Sequence, residues 1–185
     1  MTPCDNCALR LYNTKSYNLQ GVGNPFYGNN IVVPNVDYKA YKNKSMSFSE
    51  QVKIIDNALN SSTGEIDCRY YVIPLIRCNE TISCEIDRAT YNNCLQYFAR
   101  DVKKYNFSNI LLLGSAARRC LEIDVTNNLD NCFISRNNRR YFVNYSPLVQ
   151  YVSDDLFKTF ETKLLQWFDC VINNNFDIYK TIIIQ

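Results

Sequence analysis

Three short apolar runs, each followed by a stretch with helical spacing, constrain this chain more than any other feature. The first, "NNIVVPN", reads as a buried strand from Ile31 to Pro34, and "SFSEQVKIIDNALN" follows it. That second stretch places Ser47 three residues before Glu50, a capping box, and continues as an amphipathic helix. The next run, "CRYYVIPLIRC", predicts a strand over Tyr70–Ile76, after which apolar residues recur at helical spacing from Ile86 to Val102. The third, "NILLLGSAARRCL", reads as a strand, a turn at Gly114 and a short helix. Strands that alternate with helices fold as an α/β layer with a mostly parallel sheet, because each crossover helix lies on a face of the sheet.

The second half continues the pattern with one exception. "CFISRNNRRYFVNY" predicts two strands about an Asn137-Asn138 turn, a hairpin rather than a crossover. "SDDLFKTFETKLLQWFDCVI" begins at a Ser153 cap with two acids in its first turn and then shows a strong apolar face. The tail, residues 173–185, is polar and then abruptly apolar, with Phe176 and Ile178 alternating about Asp177 as in a half-buried strand. It reads as an edge strand on its own sheet or as a strand added to a partner's sheet.

At 185 residues, 46% apolar and 21% charged, the chain has the size and composition of one globular domain. A net charge of +2 confines any nucleic-acid surface to a local patch. No apolar run approaches the ~18 residues of a membrane span, and the first residues do not read as a signal peptide. The expected setting is therefore intracellular: cytoplasmic, or the host cytoplasm if the protein is viral. The abundance of Asn, Lys, Ile and Tyr is that of AT-rich coding, as in a virus or an AT-rich microbe. There is no histidine, which excludes every mechanism that uses imidazole as acid, base or metal ligand.

Nine cysteines in a reducing compartment seldom form a disulfide framework, and their odd number argues against complete pairing. Cys4 and Cys7 form a C-x-x-C; Cys78 ends the second predicted strand and Cys94 lies in the helix after it. Soft thiolates in this pattern suit iron–sulfur or zinc, whereas a compact zinc ribbon would repeat the tight pair. Ordinary buried cysteines are the alternative reading.

The residues around these cysteines carry a resemblance. "CDNCALRLYNTKSYNLQGVGNPFYGNNIVVPN" resembles the N-terminal segment of the iron–sulfur, family 4 uracil-DNA glycosylases, with its C-x-x-C-x-L start and G-x-G-N-P-like stretch. "YYVIPLIRC" is similar to the family's second strand, "NILLLGSAARRCL" to its strand–Leu-Gly–x-x-Ala segment, and "YFVNYSPLVQY" to its closing Tyr-His-Pro motif. The ordered resemblance spans roughly residues 4 to 170. It implies a three-layer sandwich about a central mostly parallel sheet, in a domain over residues 1–172 with the tail 173–185 outside it. It also implies a structural [4Fe-4S] cluster held by Cys4, Cys7, Cys78 and Cys94. Cys84 is a substitute candidate, while Cys68, Cys120, Cys132 and Cys170 are taken as core or surface thiols.

The chain departs from the family where the chemistry lies. Asn35 stands at the acidic position of the first motif, and an amide can orient water but cannot take its proton. Pro74 stands where an Asn reads the uracil edge. Ser146 replaces the histidine that stabilises the departing uracil anion, and a neutral hydroxyl is a weak substitute. Asp37, two residues past Asn35, and Phe48, a base-stacking candidate, keep an enzymatic reading open. For DNA, "SRNNRR" gathers Arg136, Arg139 and Arg140 about one turn, and Arg118 and Arg119 follow a Gly-Ser turn; Lys103 and Lys104 extend the stripe. The expectation is a DNA-binding, catalytically degenerate iron–sulfur protein working in a replication or repair complex with a protein partner. The alternative is an active DNA glycosylase with non-standard catalytic residues.

Overall fold

In the computed structural model, residues 4, 5, 7, 9, 10, 18–63, 69–79, 88–121 and 132–183 are described. They form, in chain order, β1 (Val22–Gly23), β2 (Asn29–Val36), α1 (Tyr38–Asn43), α2 (Glu50–Thr63), β3 (Tyr71–Asn79) and α3 (Arg88–Lys104). Then come β4 (Asn109–Leu113), α4 (Ser115–Leu121), β5 (Cys132–Arg136), β6 (Arg139–Asn144), α5 (Asp154–Asn173) and β7 (Lys180–Ile183). Cys68, Cys84 and Ile86 lie outside the described residues.

The seven strands make one mixed sheet in the order β1-β3-β2-β4-β6-β5-β7. The pairs β2–β3, β2–β4, β4–β6 and β5–β7 are parallel, and β1–β3 and β5–β6 are antiparallel. Alternation along each strand sends side chains to two cores. Ile31, Val33, Leu111 and Leu113 join residues of α2 and α5, including Ile55, Leu59, Phe160 and Trp167, on one face. Val32, Ile110 and Leu112 join Phe98 and Val102 of α3 and Ala116 and Ala117 of α4 on the other. The sheet is therefore covered by helices on both sides, and central β4 is buried along its whole length, with a continuous apolar run from Ile110 to Leu113.

The parallel strands β2, β3, β4 and β6 all begin at one end of the sheet, with Asn30 level with Tyr71 and Ile110, and Asn109 level with Arg140. This is called the lower end, and the end at which they finish the upper. Neighbouring β2 and β4 send their crossovers to opposite sides of the sheet, which makes the upper end between them the usual place for a ligand in such folds.

Several strands and helices differ from expectation. β3 continues through Arg77 and Cys78 to Asn79, and its register against β2 jumps there: Asn35 faces Ile76, and Val36 faces Asn79. The two unmatched residues form a bulge, a device that redirects side chains at a strand end. Ser47 does not cap α2. It lies in a 3-10 turn, Met46–Phe48, and Ser49 Oγ accepts the Val52 amide instead (3.3 Å). The predicted alternation of Phe176 and Ile178 belongs to a turn rather than a strand: Phe176 packs on the core and Ile178 is exposed. The tail's Lys180–Ile183 then pair with β5 as the last strand of the sheet. No helix among the described residues is long and apolar enough to cross a membrane.

Candidate functional site

The four predicted thiol ligands come together at the upper end of β3. Cys4, Cys7, Cys78 and Cys94 are all buried, and the last three share a small separate core with Leu9 and Ile76. Two links bring the N-terminal residues there: the Tyr97 hydroxyl of α3 donates to Cys4 Sγ (3.4 Å), and the Leu19 amide bonds the Arg77 carbonyl (3.0 Å), while the Cys7 amide bonds the Cys4 carbonyl (3.2 Å) within the segment. Arg77, almost wholly buried, pairs with Asp101 of α3 and lies against the Tyr97 ring, 5.1 Å from its centroid. A buried ion pair with further hydrogen bonds thus fixes β3 to α3 beside the thiols.

Burial pushes the Cys78 thiol up to about 12, opposed by the Asn18 amide and raised further by Cys94, Cys4 and Cys7. Burial likewise pushes Cys94 up to about 11, with the Arg77 amide opposing and Cys7 and Cys4 adding to the shift. Cys78 and Cys94 are therefore neutral thiols at ordinary pH, and a metal would have to displace their protons. Among the described residues, no three Cys, Asp or Glu side chains are arranged to hold a metal ion. In type and dryness the donor set suits a thiolate-bound metal, and the thiols are not drawn into ligand geometry. None of the seven described cysteines is disulfide-bonded.

The residues expected to form a catalytic pocket have other employment. Asp37, expected as either a free loop acid or a catalytic carboxylate, caps two helices. Its Oδ1 accepts the Ala40 amide of α1 (2.9 Å), and its Oδ2 accepts the Ser49 hydroxyl (2.5 Å) and the Glu50 amide of α2 (2.8 Å). Both oxygens are aimed at helix N-termini, where negative charge is stabilised. This long-range cap is why α2 starts at Glu50. The backbone carbonyl of Asn35 accepts the amide of Gln51 (3.0 Å), a side chain with no exposed surface. Pro74 is buried opposite Val33 in the sheet. Ser146 caps the 3-10 turn Pro147–Tyr151 by accepting the Leu148 amide (3.3 Å). It also lies against Gly114, whose φ is +53° and where a Cβ would come within 2.9 Å of Ser146 Cβ. Glycine is required there on both counts.

Phe48 is half exposed and does not enter the core as a helix-start residue would. Beside it, Glu50 Oε1 accepts the Tyr151 hydroxyl (2.7 Å) and Lys39 Nζ (3.0 Å), a contact that ties the Pro147–Tyr151 turn to α2. These hydrogen bonds, Tyr151 first, hold the Glu50 carboxyl below its usual range.

The expected DNA-binding arginines are dispersed. Arg136, Arg139 and Arg140 lie about the β5–β6 turn at the lower end, opposite Asn35, Gly114 and Ser146. Arg139 Nε donates to the Phe107 carbonyl (3.2 Å), and Arg140 donates to Asn109 Oδ1 (3.2 Å) while covering the Phe176 ring at 4.0 Å. Arg118 and Arg119 occupy the last turn of α4 rather than its start, and Arg119 stacks on Tyr91 (4.2 Å).

Sequence reasoning missed Tyr97, Gln51 and Tyr151, whose partners are 93, 16 and 101 residues away, beyond any local pattern. It also passed over Phe26 and Tyr27, for which a signal existed: two aromatics inside the turn sequence "GNPFYGN". No known family's sequence profile matches the chain, and no curated protein matches it.

Proposed function

We propose that this protein is a non-catalytic, DNA-binding domain of the uracil-DNA-glycosylase type, stabilised by a [4Fe-4S] cluster on Cys4, Cys7, Cys78 and Cys94. The observation that carries the reading is the convergence of those four thiols, drawn from the N-terminal segment, β3 and α3, into one buried group. A cluster bound there would supply structural cross-linking of the N-terminal segment to the sheet. The protein's own part is to exclude water with Leu9 and Ile76 and to present the Asn18 and Arg77 amides to sulfur.

Loss of excision chemistry is supported by the commitments of Asp37 and Ser146 to helix and turn caps. A carboxylate already accepting amides at two helix termini is poorly placed to take a proton from water. The test uses protein purified without oxygen. Iron and sulfide in equal amounts, absorbance near 400 nm, and no uracil release from single- or double-stranded DNA are expected. Stoichiometric zinc without iron would remove the cluster; rapid uracil release would remove the non-catalytic reading.

A further inference from the structure

The lower end of the sheet carries an aromatic and basic surface that the thiol group and the upper-end loops do not explain. Phe26 is 87% exposed and Tyr27 55%, on the 3-10 turn Pro25–Tyr27 between β1 and β2. Large aromatics at that exposure normally mark a contact surface, and here the backbone beneath them is fixed. Asn24 Oδ1 accepts the Phe26 amide (3.0 Å), and the Asn24 amide bonds the Tyr70 carbonyl (2.9 Å). At the other end of the turn the Gly28 carbonyl accepts the Ser108 and Asn109 amides (2.9 and 3.1 Å). Gly28 has φ +72°, and a Cβ there would meet Ser108 Oγ at 3.0 Å, so this turn depends on glycine.

The same hydrogen bonds place cations alongside. Ser108 accepts the Arg140 amide, and Arg139 bonds the Phe107 carbonyl, so the Arg136–Arg140 hairpin lies two strands from the aromatic turn, about 10 Å by strand spacing. Exposed Lys103 and Lys104 end α3, which leads directly into the Tyr105–Ser108 loop between them. Asp101, the acid near that helix end, is engaged by Arg77. Arg136 is exposed and meets no acid among the described residues.

The upper end also exposes aromatics, Tyr38, Phe48 and Tyr151, but there the cations of α1 are mixed with acids: Lys39 is paired with Glu50, and exposed Asp154 and Asp155 lie just past Val152 and Ser153.

We infer that the lower end is a single-strand nucleic-acid platform: bases stack on Phe26 and Tyr27, and phosphates meet Arg136, Arg139, Lys103 and Lys104. Stacking on flat rings with cations tracking the backbone selects unpaired strands, since a duplex hides its base faces. This rests on the DNA-binding reading above and assigns it a surface away from the expected pocket.

The test is fluorescence anisotropy of the full chain with a labelled oligothymidine of about 16 nucleotides and the corresponding duplex. The single strand should bind more tightly. Phe26→Ala and Tyr27→Ala should each weaken it by roughly tenfold, and Phe26→Tyr should keep wild-type affinity. Arg136→Ala with Lys103→Ala should flatten the log–log salt dependence by about 1.4 units. Wild-type binding that is untouched by these variants but lost in Tyr38→Ala or Tyr151→Ala would overturn the surface and keep the DNA reading. Equal binding to duplex with silent aromatic variants would overturn the stacking. A wild-type protein that binds no DNA would overturn the surface together with the reading it rests on.

Discussion

The two ends of the sheet use similar residue types to opposite purposes. At the upper end the polar groups face inward: Asp37 caps two helices, Gln51 holds the Asn35 carbonyl, and Ser146 closes a turn. At the lower end backbone hydrogen bonds and the side chains of Asn24, Asn109 and Arg140 build the scaffold, while Phe26, Tyr27 and Arg136 are left to solvent. The upper end is where a doubly wound sheet ordinarily presents its ligand site. Here that end is committed to holding the molecule together. Position in a fold indicates where a site is easily built, whereas the state of each polar atom indicates whether one exists.

The sharpest way to break this comparison is at the thiols. Cys78→Ser should release metal, bleach any colour and leave the protein largely insoluble, because metal binding at such a site contributes folding free energy. Retained solubility with unchanged metal content would show that Cys78 is not a ligand. Next, Asp37→Ala removes the shared cap of α1 and α2. It should cost about 2–4 kcal/mol and lower the melting temperature by roughly 6–12 °C, read by calorimetry. A change near zero would mean that the acid is not structural, and would weaken the contrast between the ends.

The smallest effect concerns the Tyr151–Glu50 contact. The Glu50 carboxyl is held below its ordinary value, so its contribution is fully present above the unfolded carboxylate range and is lost as pH falls through the folded value. Tyr151→Phe removes the largest cause of that shift, so less stability remains to be lost and the decline from pH 5 downward should be shallower. The difference near neutrality should be small because the contact is exposed and screened by solvent. Denaturant titrations at pH 7 and pH 4 would detect it; a larger gap between variant and wild type at pH 4 than at pH 7 would contradict the assignment.

What was legible in the sequence was what depends on neighbours in sequence. The Asn137-Asn138 hairpin is there, with both residues at positive φ (52° and 59°), and the Ser153 cap accepts the Leu156 amide. The apolar runs became central strands, although β3 runs three residues further because its bulge is a property of the pairing with β2. The gathering of the cysteines followed from the resemblance, since spacing alone left several metals and none open. Asp37 was misjudged because the partners of its second oxygen, Ser49 and Glu50, lie twelve and thirteen residues away, and α2 was therefore placed too early. Arg118 and Arg119 were expected at a helix start because they follow a Gly-Ser turn, whereas α4 is so short that they fall in its last turn.

The thiol group also has a consequence for synthesis. Cys4 and Cys7 leave the ribosome about seventy residues before Cys78, an interval of roughly 4–14 s at ordinary elongation rates. During that time no β3 or α3 exists to bury them. The pair is then an accessible dithiol, open to oxidants and to whichever metal arrives first. Completing the pocket closes a long loop, a slow event compared with forming any of the helices. If the thiols hold the proposed cluster, the cell's supply of reductant and metal during those seconds bears on how much of each batch of new chains matures correctly, a vulnerability in time that the finished fold conceals.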